Sequence, residues 1–246
     1  MHCVVLWSGF VPTDMPKPIA IVVAMPLEVA PLVRSLPKRD VEGMALFQLP
    51  GAVVVVGGIG ERSARKASEM AVTYARPEFL VNAGLAGGVS PKLKVGDVGR
   101  AKEVVEISSG TRYPTSGGDW VLVTGATVSG PEAKQQLFER YGADVVDMEA
   151  AAVAQVAQEH GLKLIIIKSV SDVAQFLLPP LGRFVEDDGK FAMRRFLAYV
   201  AVRPKWWRSV TRLGRNSRRA SKSLAMALNH LIGEHAQASQ ERASLG

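Results

Sequence analysis

Three runs without a polar position constrain the fold most. Ile19–Val23 (IAIVV), Ala52–Val56 (AVVVV) and Leu164–Ile167 (LIII) are short, apolar and mostly β-branched, and read as buried strands. Helical segments lie between them. Pro26–Leu36 opens on proline, Glu61–Ala75 is amphipathic, and Pro131–Gly142 has proline at its start and glycine at its end. The stretch after Glu149 is alanine-rich, and Gly189–Val202 is again helical. Further extended segments are Met44–Leu49, which turns at Pro50-Gly51, Glu78–Gly88, Val95–Ser108, Asp119–Gly125 and Leu162–Asp172. Strands alternating with helices predict an α/β fold: a three-layer αβα sandwich around a mixed, largely parallel, twisted sheet.

No repeat or low-complexity linker interrupts the chain. One domain over 18–203 is expected, with an extension over 1–17 and a basic tail over 204–246. The first residues include a short apolar run but no Lys/Arg-rich start and no small-residue cleavage site. They read as an extension rather than a signal peptide, with Met15 as an alternative start. No apolar run reaches the roughly 20 residues of a membrane-spanning helix. Cys3 is the single cysteine, and the four histidines are scattered without metal-binding spacing. No metal is expected, and a reducing cytoplasm fits.

The formal net charge is +7, but it is unevenly spread. Between Gly189 and Gly233 there is no acid and there are eleven lysines and arginines, so the remainder of the chain is mildly acidic. Within the tail, Trp206, Val210, Leu213, Ser217, Ala220, Leu224, Ala227 and Leu231 fall at steps of four and three, one apolar stripe on a helix. Two readings stand. The helix packs on the body with a solvated basic face, or it lies on an anionic lipid surface with Trp206 and Trp207 in the headgroup layer. Nucleic acid would also be attracted electrostatically, but the tail has no DNA-reading motif.

Acids at strand ends are the candidate chemistry. Glu28 follows the first strand, Asp147-Met148-Glu149 follows Val145-Val146, and Ser171-Asp172 ends the most apolar strand. Asp147 suits an N-cap and Glu149 an early helical acid. Equally, ligands in α/β sheets sit outside the carboxyl ends of strands, where a carboxylate can hold a sugar diol. If the strands are parallel, the three acids converge, with Asp172 kept protonated by desolvation. The loop GGIGERSA, from Gly57, mimics a dinucleotide fingerprint, but Ser63 stands where a third glycine belongs. NAGLAGG, from Asn82, is no Walker loop, although both loops can bring backbone N–H groups near a ligand.

VVDMEAAAVA, SVSDVA, NAGLAGG, LKVGDV and GGIG together resemble the purine nucleoside phosphorylase and nucleosidase superfamily over about residues 18 to 200. Within it, the pattern is most similar to that of the methylthioadenosine/S-adenosylhomocysteine nucleosidases. The resemblance implies that Glu149 binds the ribose hydroxyls, Met148 packs on the sugar, and Asp172 protonates purine N7 with Ser171 beside it. It implies that Glu28 positions the attacking water, and that Ala83, Gly84, Leu85, Val128 and Lys168 contribute to substrate binding. No cofactor is implied, and a homo-oligomer is. Leu85 and Lys168 depart from the serine and arginine usual there, and Pro26-Leu27 replace two further acids. Lys168 suits phosphate as a co-substrate, whereas Glu28 suits water. The apolar loop holding Phe176, Leu177, Leu178 and Leu181 either caps the core or lines a pocket for an apolar 5′-group. That loop, the basic tail and Leu85 resemble the hopanoid-associated branch, which implies adenosylhopane as substrate and contact with the inner membrane surface. A methylthioadenosine-type nucleosidase and a noncatalytic nucleoside-binding protein are the alternatives.

Overall fold

The computed structural model describes residues 17–127 and 130–244, with side chains through 241. All of the expected extension but Lys17, Cys3 and Met15 included, lies outside the described residues, as does Val128.

Among the described residues, ten strands form one sheet. In chain order they are β1 (Ile19–Val23), β2 (Arg39–Val41), β3 (Met44–Leu49), β4 (Ala52–Val56), β5 (Phe79–Gly88), β6 (Val98–Glu106), β7 (Arg112–Pro114), β8 (Trp120–Thr124), β9 (Val145–Asp147) and β10 (Lys163–Asp172). The helices are α1 (Pro26–Val33), α2 (Glu61–Ala75), α3 (Pro131–Tyr141), α4 (Ala150–Glu159), α5 (Met193–Ala201) and α6 (Trp207–Ser244). β1 lies between β4 and β5, and β5 also pairs with β10, all in parallel. The expected α/β sandwich with a mixed sheet is therefore the observed architecture.

Burial on both faces explains the all-apolar strands. Ala20 and Val22 of β1 point into a core shared with α2 and α4, while Ile19, Ile21 and Val23 point into a core shared with α1 and α6. On the first face small residues dominate. Ala64, Ala67 and Ala71 of α2 are buried with Ala150 to Ala154 of α4, and alanine lets two helices and a sheet approach closely.

Two features differ from the expectation. The sheet closes on part of itself: β5, β10, β6, β8 and β9 pair in turn, and β9 returns to β5. β9 is also antiparallel to β5, not parallel, with Val146 opposite Gly87. The three acidic segments still converge, because β5 is ten residues long and carries both β10 and β9 at its glycine-rich end.

The tail is a single 38-residue helix, about 57 Å at ~1.5 Å per residue. It starts at Trp207, after a 3-10 turn over Pro204–Trp206. Its second half is part of the body: Leu224, Leu228 and Leu231 are buried in the core of β1, β5 and β10. Its first half does something else, described next.

Candidate active site

A cavity of about 560 Å³ opens at the carboxyl ends of β1, β5 and β10, within the roughly 300–1,000 Å³ usual for small-molecule sites. Its floor is acidic. Glu28 sits in the first turn of α1 and is 3% exposed. Its Oε2 accepts the N–H groups of Ala24 (2.9 Å) and Met25 (2.8 Å), and its Oε1 accepts that of Leu85 (2.9 Å). Gly84 makes this possible, since a Cβ there would stand 2.9 Å from Oε1. Burial pushes the Glu28 carboxyl up, against the pull of those amides and of Lys168.

Asp147 and Lys168 form a buried ion pair at 2.7 Å. Thr124 donates to Asp147 Oδ1 at 2.8 Å, and the Ala150 N–H donates to Oδ2 at 3.0 Å. The N-cap position of α4 is Glu149 rather than Asp147, yet the Asp147 carboxylate, two residues earlier, accepts the first N–H of the helix and neutralises a lysine. Burial opposes the charge on Lys168, but Asp147 and Glu149 outweigh it and hold the ammonium above its usual range. Glu149 is 8% exposed. Its Oε1 accepts the N–H of Gly60 at 2.8 Å, so the glycine loop before α2 serves a side chain. Burial, reinforced by the Asp147 charge, pushes Glu149 up to about 7.

Asp172, at the end of β10, accepts a hydrogen bond from Ser171 at 2.8 Å on Oδ1, while Lys134 of α3 contacts Oδ2. This corrects the expected apolar, desolvated setting: Asp172 is one half of a buried ion pair. Of the candidate residues, Glu28, Leu85, Met148, Glu149, Ser171 and Asp172 line the cavity. Ala83, Gly84 and Lys168 stand behind the wall. The expectation that Lys168 offers a point charge to phosphate meets the same obstacle twice, because it is neutralised by Asp147 and does not face the cavity.

The roof is apolar. The apolar loop splits between the two expectations: Phe176 is buried and carries the Arg212 guanidinium 5.6 Å over its ring, Leu177 is exposed, and Leu178 and Leu181 face the cavity. Phe191, Met193, Phe196 and Leu197 add to them from the segment around α5, and Val210 and Leu213 from α6. A satellite cluster of Phe184, Phe196 and Val200, packed against Trp206 and Val210, joins these pieces. The first turns of the tail helix are therefore cavity wall.

Sequence reasoning missed Lys134 and the contribution of Val210 and Leu213. A lysine among polar residues of an amphipathic helix looks solvent-exposed, and nothing local marks it as buried. The stripe on α6 was visible, but not that its first part covers a pocket.

Comparison with known proteins bears on the whole arrangement. The profile of the phosphorylase superfamily matches residues 18–120 and 108–200. The chain belongs to the phosphorylase superfamily. A 5′-methylthioadenosine/S-adenosylhomocysteine nucleosidase of Geobacillus kaustophilus is 31% identical over 158 residues, covering 50% of this chain and 67% of the relative. That of Geobacillus thermodenitrificans is 30% identical over 197 residues, covering 63% and 84%. Among solved structures, the corresponding nucleosidase of Helicobacter pylori superimposes with a TM-score of 0.69 at 17% identity, covering 89% of this chain and 99% of that one. The futalosine hydrolase of the same organism reaches 0.61 at 18% identity, covering 87% and 98%. This superfamily member is an enzyme of the nucleosidase kind.

Proposed function

We propose that this enzyme cleaves the N-glycosidic bond of an adenine nucleoside bearing a large apolar 5′-substituent and releases adenine. One observation carries the reading. A single cavity joins four carboxylates, Glu28, Asp147, Glu149 and Asp172, to a roof of leucine, phenylalanine, methionine and valine.

The chemistry assigns the roles. Breaking the bond from the sugar to purine N9 puts positive charge on the sugar and negative charge on the departing base. Asp172, oriented by Ser171, delivers a proton to N7, the kind of step worth roughly 10²–10⁴-fold. Glu149 accepts hydrogen bonds from the ribose diol, and its charge stabilises an oxocarbenium-like state. Met148 packs on the sugar. Glu28, held by three backbone amides, takes the proton of the attacking water. Water is favoured over phosphate because Glu28 repels an anion and Lys168 is neutralised by Asp147. No cofactor or metal enters this scheme.

The 5′-substituent follows from the roof. Leu178, Leu181, Phe196, Leu197, Val210 and Leu213 outnumber Ser217 and Arg218, the polar residues that α6 adds to the lining, and a polycyclic hydrocarbon gains from every methylene it buries, about 0.8 kcal/mol each. An adenosylhopane-like substrate fits best, and methylthioadenosine is the competing one. A lipid-linked nucleoside needs delivery from a membrane. Met193, Leu197, Val202 and Trp207 are each more than half exposed on the acid-free stretch that follows Gly189, and Leu177, on the far side of Glu186-Asp187-Asp188, is exposed as well. We read this exposed set as a peripheral contact with anionic lipid at the inner membrane surface. A homo-oligomer belongs to the same proposal.

The test compares adenosines whose 5′-substituent lengthens from methylthio to long alkyl. The reading expects kcat/KM to climb with apolar length. Efficient cleavage of methylthioadenosine with rejection of the long chains would reassign the substrate, and adenine release from none would leave a nucleoside-binding protein.

A further inference from the structure

Lys134 is where no stability argument would put a lysine. Its side chain is 1% exposed, and burying an ammonium is costly. It also stands at the end of the first turn of α3, where the helix dipole disfavours a cation. Yet the surroundings are shaped for it. A Cβ on Gly87 would stand 3.2 Å from both Cε and Nζ of Lys134, so the glycine clears its path. At the end of that path Nζ meets Asp172 Oδ2 and donates to the Val173 carbonyl at 3.2 Å. Lys134 also lines the cavity.

We propose that Lys134 is a positioning residue acting through Asp172: it supplies the proton that Asp172 hands to the departing base. The inference rests on the nucleosidase reading above. As the bond between C1′ and N9 breaks, its electron pair goes to the base, and Asp172 gives a proton to N7. Asp172 enters this step as the carboxylate of the ion pair: it takes the Lys134 proton as it passes one to N7, so the pair ends as a neutral amine beside a carboxylate and the base leaves as neutral adenine. Solvent returns that proton after adenine leaves. Water adds to C1′ and its proton goes to Glu28 and on to solvent, so atoms and charge balance. An ammonium suits this work because it can give up a proton, whereas a guanidinium in a protein does not.

The experiment compares wild type, Lys134→Met and Lys134→Arg on two ribosides with the same 5′-alkyl group. One carries adenine. The other carries 4-nitrophenolate, which departs without a proton. The proposal expects Lys134→Met to lose about a hundredfold or more in kcat on the adenine substrate, with KM little changed and with less than tenfold loss on the nitrophenyl riboside. Lys134→Arg restores charge but not the transferable proton, so it stays slow on adenine and active on nitrophenolate. The nitrophenyl activity reports that each variant is folded. Equal losses on both substrates, or full rescue by arginine, would show a purely structural ion pair and overturn the assignment. Wild type that cleaves neither riboside would sink the nucleosidase reading and the assignment with it.

Discussion

Glu149 keeps its proton to a pH at which an exposed glutamate has long lost it. The carboxyl is pushed from 4.5 to about 7 by burial and by Asp147, while only the carboxylate can accept both hydrogen bonds of a diol. Binding of a non-cleavable ribonucleoside analogue should therefore tighten as pH rises, approaching tenfold per unit below about 7 and levelling above it. The same titration should be flat for a 2′,3′-dideoxy analogue and for Glu149→Gln, and isothermal calorimetry across pH measures it. Stability runs the opposite way. Between 4.5 and about 7 the folded chain holds a proton that the unfolded chain has released, so this group costs stability as pH rises through that window. Glu149→Gln should gain in melting temperature relative to wild type over the same window. At this scale the sequence was readable where chemistry is written in adjacent residues, as in Asp147-Met148-Glu149 and Ser171-Asp172. It was unreadable for Lys134, because the groups that bury it belong to β5 and β10 and leave no trace in its own helix.

α6 shows what periodicity carries and what it does not. The stripe from Trp206 to Leu231 identified a helix and its inward face, but one pattern serves two partners. Val210 and Leu213 face the cavity, while Leu224, Leu228 and Leu231 face the core. The two parts should fail differently. Leu228→Ala empties a fully buried site and should cost about 2–5 kcal/mol in denaturant unfolding with the substrate preference intact. Leu213→Asp should leave stability nearly unchanged and raise KM for long 5′-alkyl substrates more than for methylthioadenosine. The outer face is separately testable. Arg208, Arg212, Arg215 and Arg219 repeat on the solvent side. Co-sedimentation with vesicles containing phosphatidylserine should exceed that with neutral vesicles, weaken with salt, and drop in a Trp207→Ala, Arg208→Ala, Arg212→Ala variant. Binding insensitive to all three changes would remove the membrane contact from the account.

For the whole molecule, alternation of strands and helices gave the α/β class and the two helical layers. The partial closure of the sheet was out of reach, because it depends on the antiparallel pairing of β10 with β6 and of β9 with β5, which local patterns do not encode. That closure matters to function. Asp172 and Val146 both lie across from Gly87 of β5, and Asp172 and Glu149 line one cavity. In the proposed function this cavity breaks a glycosidic bond with water, using Asp172 as the acid. The most direct measurement is free adenine released from a 5′-alkyl adenosine, with and without inorganic phosphate, for wild type and Asp172→Asn. Wild type should release adenine at a rate indifferent to phosphate, and the variant should lose about 10²–10⁴-fold. Release that requires phosphate, or an Asp172→Asn variant as fast as wild type, would contradict it.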